Sequence, residues 1–478
     1  MKKILSLILA AVLVLSLCAC APSEGGKEAA KGLQAGFGRE KIMPADGKIG
    51  LSGYGNSDTR ISTGFLDYLY ATCLALKDEA DTTVLLFHLD LIITTDEVVE
   101  QGRNAVSEAT GVPKENIYFA ATHTHSAPGT EYDIPGIEAY KALLYMQFAT
   151  AAESAITDLS PAEMSMGSKE LENMNFVRHY IQESGAYVGS NFGDYSASPI
   201  KDYATEGDHE LQLLKFTRAA EDKKDIVMMN WNAHPCLTDG SGSGTNLSAD
   251  FIGSCRTYVE EQADCNFIYF TGAAGNQNTY SHIEADDNGL DYKGYGEALG
   301  NAMIEVLESM TPVASGPIKT TTLTYEAEIN KEGVDRLEQA QEVVDLWHSA
   351  DRTASDELAK EYGFGSTYHC NSIVNRSKMT GTTSMELNAV SVGGFSWINA
   401  PYEMFSGSSR SIKEQTPFDM TFIITCSGPY VGYIPTSDAY EYDHGCYESQ
   451  TSKIPQGTAE ILVEKYVSML GDIHTAAE

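Results

Sequence analysis

The sequence predicts an α/β fold, with mixed β-sheets covered by helices in a single large domain. Three observations carry that expectation. Thr83 to Leu91, Asp96 to Thr110 and Ile117 to Ala121 read in turn as strand, amphipathic helix and strand, a β-α-β unit that implies parallel pairing. Apolar runs of strand length alternate with helical stretches from Leu69 to Leu470. No internal repeat and no clean linker divides the 478 residues, a length that suits one large domain or two ordinary ones.

The chain opens with a basic Met1-Lys-Lys3 and an apolar run from Ile4 to Leu17, too short for a comfortable transmembrane helix. Leu17-Cys18-Ala19-Cys20 then resembles the bacterial lipobox, with Leu17 and Ala19 in their places before an acylated Cys20. Residues 1–20 are therefore expected to be a lipoprotein signal peptide and 21–34 a flexible tether. Residues 35–472 form the folded domain, exported and lipid-anchored to the outer face of a bacterial cell membrane. Cys18 fits less well, because Leu17 would then be the cleavage-site residue; an ordinary signal peptide is the alternative.

Within the domain, Gly36 to Ile42 opens the fold, and Leu51-Ser-Gly-Tyr-Gly55 is a glycine-punctuated loop. Leu69 to Leu76 is a strand preceding the β-α-β unit. Ile137 to Asp158 is a long helix rich in Ala, Leu and Met. Glu210 to Arg218 and Ile226 to Asn232 form a strand pair around the charged turn Glu221-Asp-Lys-Lys-Asp225. Asp239 to Asn246 is Gly/Ser-rich and expected to be mobile. Phe251 to Ala263 is a helix and Phe267 to Phe270 a strand, followed by a helix from Tyr295 to Met310. Val334 to Tyr362 is a charged helical insertion (about 332–364). Met385 to Val392, Phe395 to Ile398 and Phe418 to Thr425 read as strands, and Ala459 to Leu470 closes the chain as a helix.

The net charge is −35, from 67 acidic and 32 basic residues, which argues against nucleic acid or an anionic membrane surface as a partner through a basic patch. Hydrophobic residues make up 42% of the chain, enough to fill a core. Of nine cysteines, seven remain beyond Cys18 and Cys20, an odd number without Cys-x-x-Cys spacing. Cys236, Cys255 and Cys265 are close enough in sequence to include one bridge, but they read mainly as small buried residues.

Chemistry concentrates in Ile117-Tyr-Phe-Ala-Ala-Thr-His-Thr-His-Ser-Ala-Pro-Gly129. His123 and His125 are two apart at the end of a buried strand, and on an extended backbone they would share a face. Val227-Met-Met-Asn-Trp-Asn-Ala-His234-Pro235 presents a second strand-end histidine. Two such histidines joined by a helical crossover can meet at the sheet edge where open α/β sheets place ligands. A two-His-one-acid zinc site needs a carboxylate. Glu403, after a strand and a proline break in Ile398-Asn-Ala-Pro-Tyr-Glu403, offers one. Taken singly, each of these residues also reads as a solvated or hydrogen-bonded structural group.

The ordered series resembles the neutral/alkaline (non-lysosomal) ceramidase family, in its N-terminal catalytic domain. The matching pieces are Ala121-Thr-His-Thr-His-Ser-Ala-Pro-Gly129, Asn175-Phe-Val-Arg178, Asn232-Ala-His-Pro235 and Ser248-Ala-Asp-Phe251. Thr271-Gly-Ala-Ala-Gly-Asn276, Ala400-Pro-Tyr-Glu403 and Gly432-Tyr-Ile-Pro-Thr436 continue the same order. The resemblance implies a zinc amidohydrolase acting on the N-acyl bond of a ceramide-like or other N-acyl lipid through metal-activated water. It implies His123, His234, Glu403 and Tyr433 as metal ligands, with His125, Arg178 and Tyr447 facing the scissile amide. Nothing in the sequence by itself makes Tyr433 a ligand.

The pattern departs from the family in three places. Asn278 stands where the ceramidases have a serine, leaving no serine nucleophile there. Tyr402 replaces the glycine before Glu403 and would crowd the pocket wall. The chain ends at Glu478, without room for the family's C-terminal β-sandwich. Two other functions fit the same residues: hydrolysis of a different amide or ester, and a metal-bearing lipoprotein that binds a lipid or glycan without turnover. Asp90 reads as a strand-end turn residue or a support for the site.

Overall fold

The computed structural model describes residues 32–45, 47–55, 57–189, 193–238, 244–349, 352–442 and 445–475. The expected signal peptide, Cys20, most of the tether and the Gly/Ser run 239–243 lie outside the described residues.

β1 (Gln34–Lys41), β2 (Tyr70–Lys77) and β3 (Thr83–Leu89) pair antiparallel, and β3 runs parallel to β4 (Ile117–Ala121) with Leu89 opposite Ala121. The crossover is α1 (Asp96–Thr110), started by the Thr95 side chain accepting from the Val98 amide and ended at Gly111 in the left-handed region. α2 (Ile137–Thr157) lies directly on β1. A Cβ at Gly36 or Gly38 would stand 2.0 Å from the Ala155 or Ala151 carbonyl oxygen, so only glycine permits this approach.

β5 (Ser160–Glu170), an eleven-residue strand that the sequence pattern did not announce, pairs with β6 (Glu210–Arg218). β7 (Ile226–Trp231) pairs antiparallel with β6 and parallel with β8 (Asn266–Thr271), through the crossover α3 (Phe251–Ala263). After α4 (Tyr292–Leu307), the short β9 (Thr311–Val313) adds to β5. The resulting nine-stranded sheet runs β8-β7-β6-β5-β1-β2-β3-β4, with β9 off this path. Its two ends are both β-α-β units.

A second, four-stranded sheet contains β10 (Ile318–Glu328), β11 (Thr382–Val392), β12 (Phe395–Asn399) and β13 (Met420–Ile424), of which the last two are parallel. Between β10 and β11 lie α5 (Leu337–His348), α6 (Arg352–Glu361) and α7 (Thr367–Lys378), packed on a small core of Ala340, Val343, Val344, Cys370 and Ile373. This helical insertion reaches further along the chain than the sequence suggested. α8 (Ser406–Gln415), α9 (Tyr447–Thr451) and α10 (Thr458–Thr475) complete ten α-helices among the described residues.

Leu74, Leu86, Met228 and Phe270 from the first sheet meet Val390, Trp397 and Phe422 from the second in one apolar layer. Burying each such side chain contributes about 1.5–3 kcal/mol. The outer faces are closed by Val98, Val106, Leu144 and Phe148 on one side, Phe251, Val259 and Leu299 on another, and Leu462, Tyr466 and Leu470 from α10. All seven cysteines from Cys73 onward are free thiols, so no bridge joins Cys236, Cys255 and Cys265.

The fold brings the carboxyl ends of its parallel strands together. The Thr425 amide donates to the Thr271 carbonyl at 2.9 Å, the Ala121 amide to the Cys426 carbonyl at 3.1 Å, and Asn230 Nδ2 to the Ile423 carbonyl at 2.9 Å. β4, β8 and β13 therefore end at one place, the position where parallel α/β sheets open a crevice for ligands.

Candidate metal centre

Three side chains converge just beyond those strand ends. β4 stops at Ala121, and His123 takes a left-handed conformation at φ +67°. The sharing of a face by His123 and His125 is thus produced by a backbone kink and not by the alternation of an extended strand. The kinked backbone sends the His123 amide to the Leu91 carbonyl and Nδ1 to the Ile92 carbonyl at 2.8 Å. His234, three residues past β7, places Nδ1 2.6 Å from the Ala274 carbonyl. Since a carbonyl only accepts, both rings carry their proton on Nδ1 and turn an Nε2 lone pair inward.

Glu403, four residues past β12, meets those lone pairs. Its Oε2 lies 3.2 Å from His123 Nε2 and 3.1 Å from His234 Nε2, with all three residues buried. His234 Nε2 and Glu403 Oε2 have no hydrogen-bond partner. Three inward acceptors without a donor among the described residues would repel one another; a cation between them removes the conflict. The spacing suits one: ligand atoms each about 2.1 Å from a tetrahedral ion stand about 3.4 Å apart. The donor set of imidazole, imidazole and carboxylate is that of zinc and similar divalent ions.

Tyr433 is drawn in by a two-residue parallel ladder in which it pairs directly with Glu403. Its hydroxyl accepts from Arg178 Nη2 at 3.2 Å. Arg178 is fixed on its other edges by Nε donating to Glu448 Oε1 at 2.7 Å and Nη2 donating to the Gly275 carbonyl at 2.9 Å. No hydrogen bond is made by Nη1 among the described residues. Tyr447, the first residue of α9, sets its ring 5.9 Å from that of Tyr433.

His125 stands with its ring centroid 5.1 Å from His123 and 5.6 Å from His234. Both of its nitrogens lack a partner. Burial, then the neighbouring His123 and His234, push its pKa well down, so the ring is neutral and able to accept a proton. Gly53, at φ +123°, is required beside it: a Cβ there would lie 2.8 Å from His125 Cβ, Cγ and Nδ1.

Several participants were invisible in the sequence. The Tyr430 hydroxyl donates to Glu403 Oε1, orienting the carboxylate. Glu448 holds both Arg178 and, at 3.0 Å, His179 Nε2. His179, Cys446 and Glu448 form a second cluster of metal-ligand type, but its carboxylate already answers a guanidinium and an imidazole, so it needs no ion. A tyrosine in the glycine-flanked run Ser427-Gly-Pro-Tyr-Val-Gly432 and an acid following Tyr447 were the available signals.

Two expectations are corrected. Tyr402 does not crowd the site: successive residues alternate in direction, and as Glu403 faces the metal position Tyr402 points the other way, buried with Ile398, Tyr466 and Leu470. Asp90 does stand in the bend directly after β3, where the Leu91 amide donates to the Leu89 carbonyl at 2.7 Å, but its carboxylate does not support the metal position. It is fully buried, bonded to His88 at 3.0 Å and Arg256 at 2.8 Å, and ties α3 to β3. Asn278 pairs with Phe176 in a two-residue ladder beside Arg178, its Oδ1 unpartnered.

The family model for the neutral/alkaline non-lysosomal ceramidase N-terminal domain matches residues 33–278. Among solved structures, the chain is similar to neutral ceramidase from Pseudomonas aeruginosa, with a TM-score of 0.70 and 16% identity over 93% of this chain and 75% of that one. It is also similar to a ceramidase complexed with C2, with a TM-score of 0.68 and 16% identity over 94% and 76% of the two chains. At such identity the likeness bears on the fold. No curated protein matches the chain by sequence.

Proposed function

The chain belongs to the neutral/alkaline non-lysosomal ceramidase family, and from that premise we propose that it is a zinc-dependent amidohydrolase cleaving the N-acyl bond of a ceramide-like or other N-acyl lipid. The observation that carries this reading is the convergence of His123 Nε2, His234 Nε2 and Glu403 Oε2 without a donor among them. His123, His234, Glu403 and Tyr433 hold the ion. Zinc, when bound, supplies Lewis-acid polarisation and acidifies a water at neutral pH.

The protein's own groups do the rest. Arg178, clamped by Glu448, Gly275 and Tyr433, directs its remaining Nη1 donors at the oxygen that gains charge when the amide carbon becomes tetrahedral. Tyr447 adds a phenol donor on the same side. Neutral His125 accepts the proton of the attacking water and passes it to the leaving nitrogen, which must depart as an amine. Asn278 has no nucleophilic atom, so water and not a side chain attacks the carbonyl. The enzyme works outside the cytoplasm, tethered through a lipid on Cys20.

The test is turnover of a panel of N-acyl lipids by the zinc-loaded protein. Arg178→Ala and His125→Ala should retain the ion and lose on the order of 10²-fold or more in rate. Zinc-loaded protein that binds these lipids and cleaves none would refute the enzyme reading.

A further inference from the structure

Tyr447 and Glu448, the second of which clamps Arg178, both ride on α9, a helix of five residues. So short a helix gains too little from its own hydrogen bonds to form alone, and the carbonyls of its last turn have no partners within it. At its start Cys446 and Ser449 answer each other's amides. The donors at its other end come from the helical insertion and from the segment that leads into it. Arg376 Nη1 donates to the Gln450 carbonyl at 3.3 Å and the Ser452 carbonyl at 2.9 Å, Ser372 Oγ to the Thr451 carbonyl at 3.3 Å, and Asn330 Nδ2 to the Ser452 carbonyl at 3.3 Å. Ser366 Oγ adds a bond to Gln450 Oε1 at 2.7 Å, and the Tyr368 ring stands edge-on to that of Tyr447 at 5.6 Å.

Arg376 is the centre of this clasp. It is 1% exposed, and each hydrogen bond it makes among the described residues goes to a backbone carbonyl, the third being from Nη2 to Glu332 at 3.1 Å. A guanidinium is costly to bury without a carboxylate, and packing alone would be served by an apolar side chain. What the guanidinium adds is a rigid fork of donors at the carboxyl end of α9, where the helix dipole favours a cation. The same clasp reaches the metal position by a second route. Ser452, whose carbonyl Arg376 holds, places its Oγ 2.9 Å from the Tyr433 carbonyl oxygen.

We propose that Arg376 is a positioning residue for the reaction: through α9 it fixes where Tyr447 stands and how Glu448 holds Arg178. The insertion of α5 to α7 is thereby part of what sets the geometry of the site, although it touches no reacting atom. This inference rests on the amidohydrolase reading and extends the site to residues that reading leaves out.

The test uses zinc-loaded full-length protein, N-octanoylsphingosine as substrate, and octylphosphonate as a tetrahedral anion whose binding is followed by calorimetry without turnover. Arg376→Gln should lower kcat about tenfold or more, with KM and zinc content unchanged. Arg376→Lys, which keeps donors for the carbonyls, should recover part of the loss. Octylphosphonate should bind Arg376→Gln about tenfold more weakly, and the substitution should add nothing in an Arg178→Ala/Tyr447→Phe background. A folded Arg376→Gln with a lower melting temperature but wild-type kcat and octylphosphonate affinity overturns the positioning role, as does a loss that persists in full in that background. If Arg376→Gln does not fold, Ser372→Ala decides: kcat and affinity both reduced support the role, and wild-type values overturn it. A wild type that cleaves no N-acyl lipid while Arg376→Gln still weakens octylphosphonate binding leaves the positioning role standing and overturns the amidohydrolase reading. A wild type that neither cleaves the amide nor binds octylphosphonate overturns both.

Discussion

Replacing Glu448 by Gln should separate the clamp on Arg178 from the metal position. The carboxylate is fully buried and serves Arg178 Nε at 2.7 Å and His179 Nε2 at 3.0 Å. Glutamine keeps the shape but strips the charge, leaving a buried guanidinium without its counter-ion, a change that costs about 3–5 kcal/mol. For a domain of this length the entropy of unfolding is roughly 0.9 kcal/mol per kelvin, so the melting temperature should fall by roughly 4 °C. The sign of the pH dependence follows from the direction of the shift. Burial pushes the Glu448 carboxyl up, but Arg178 and His179 outweigh it and hold it well below the ordinary range. The stabilisation is therefore full above the unfolded carboxylate value of about 4.3, and is lost as the pH falls below it towards the folded value. The melting-temperature gap between wild type and Glu448→Gln should be constant near pH 7 and shrink in acid. Turnover should drop about 10²-fold at unchanged zinc content, because a loose Arg178 is a misplaced oxyanion donor. Since Glu448 acts through Arg178, the Arg178→Ala/Glu448→Gln double variant should be no slower than Arg178→Ala alone. Additive losses, or a destabilised Glu448→Gln with wild-type kcat, would refute this chain of reasoning.

Three other outcomes are expected. Elemental analysis should find one zinc per chain, lost in His234→Ala; chelation should abolish turnover and lower the melting temperature, and zinc should restore both. Gly53→Ala should retain zinc yet lose kcat at least tenfold, since a Cβ 2.8 Å from the His125 ring must displace it and the backbone at φ +123° disfavours alanine; wild-type kinetics would show the ring has room to move. With Asn278 in place of a serine, no acyl-enzyme should form, so intact-mass spectrometry under turnover should detect no covalent adduct and the amine should appear without a burst.

How legible each part was depends on the range of the forces that make it. α1, α3 and β4 were read to the residue because local periodicity and caps define them. β5 is not legible because Ser160-Pro-Ala-Glu-Met-Ser-Met-Gly-Ser-Lys-Glu170 has no β-branched or aromatic residue. Its strand character is imposed by pairing with β6 along its length. His123 and His234 stood out as histidines at the ends of apolar runs. Glu403 was one candidate acid among many until the family resemblance singled it out. Glu448 and Tyr430 were out of reach: the Arg178–Glu448 contact joins residues 270 apart, and no local pattern encodes it. The direction of Tyr402 does not follow from its adjacency to Glu403, because neighbours on an extended backbone point apart and only the packing against Tyr466 and Leu470 shows where its ring lies.

The backbone shows where the fold yields to chemistry. Six non-glycine residues among those described adopt positive φ. Asp81, Asn173 and Asp264 are of the types that tolerate this conformation in turns. His123 and Cys426 are different, because both lie just past strands that end at the metal position, with Cys426 Sγ 3.5 Å from His123 Nδ1; Asp250 caps the start of α3. Histidine is only moderately tolerated in the left-handed region, cysteine less so, and each such residue costs on the order of 1–3 kcal/mol. They are held by what surrounds them: the His123 amide on Leu91, the Cys426 carbonyl on the Ala121 amide, and the Asp250 carboxylate on Thr238 and Phe251. A turn made only to reverse the chain would take glycine or asparagine, as Gly111 and Asn173 do. A histidine kept at φ +67° instead gains something from its ring that glycine cannot give, and what the ring faces is Glu403 and His234. The strain is thus explained by the convergence of ligands at that point, and it is concentrated where three parallel strand pairs end together.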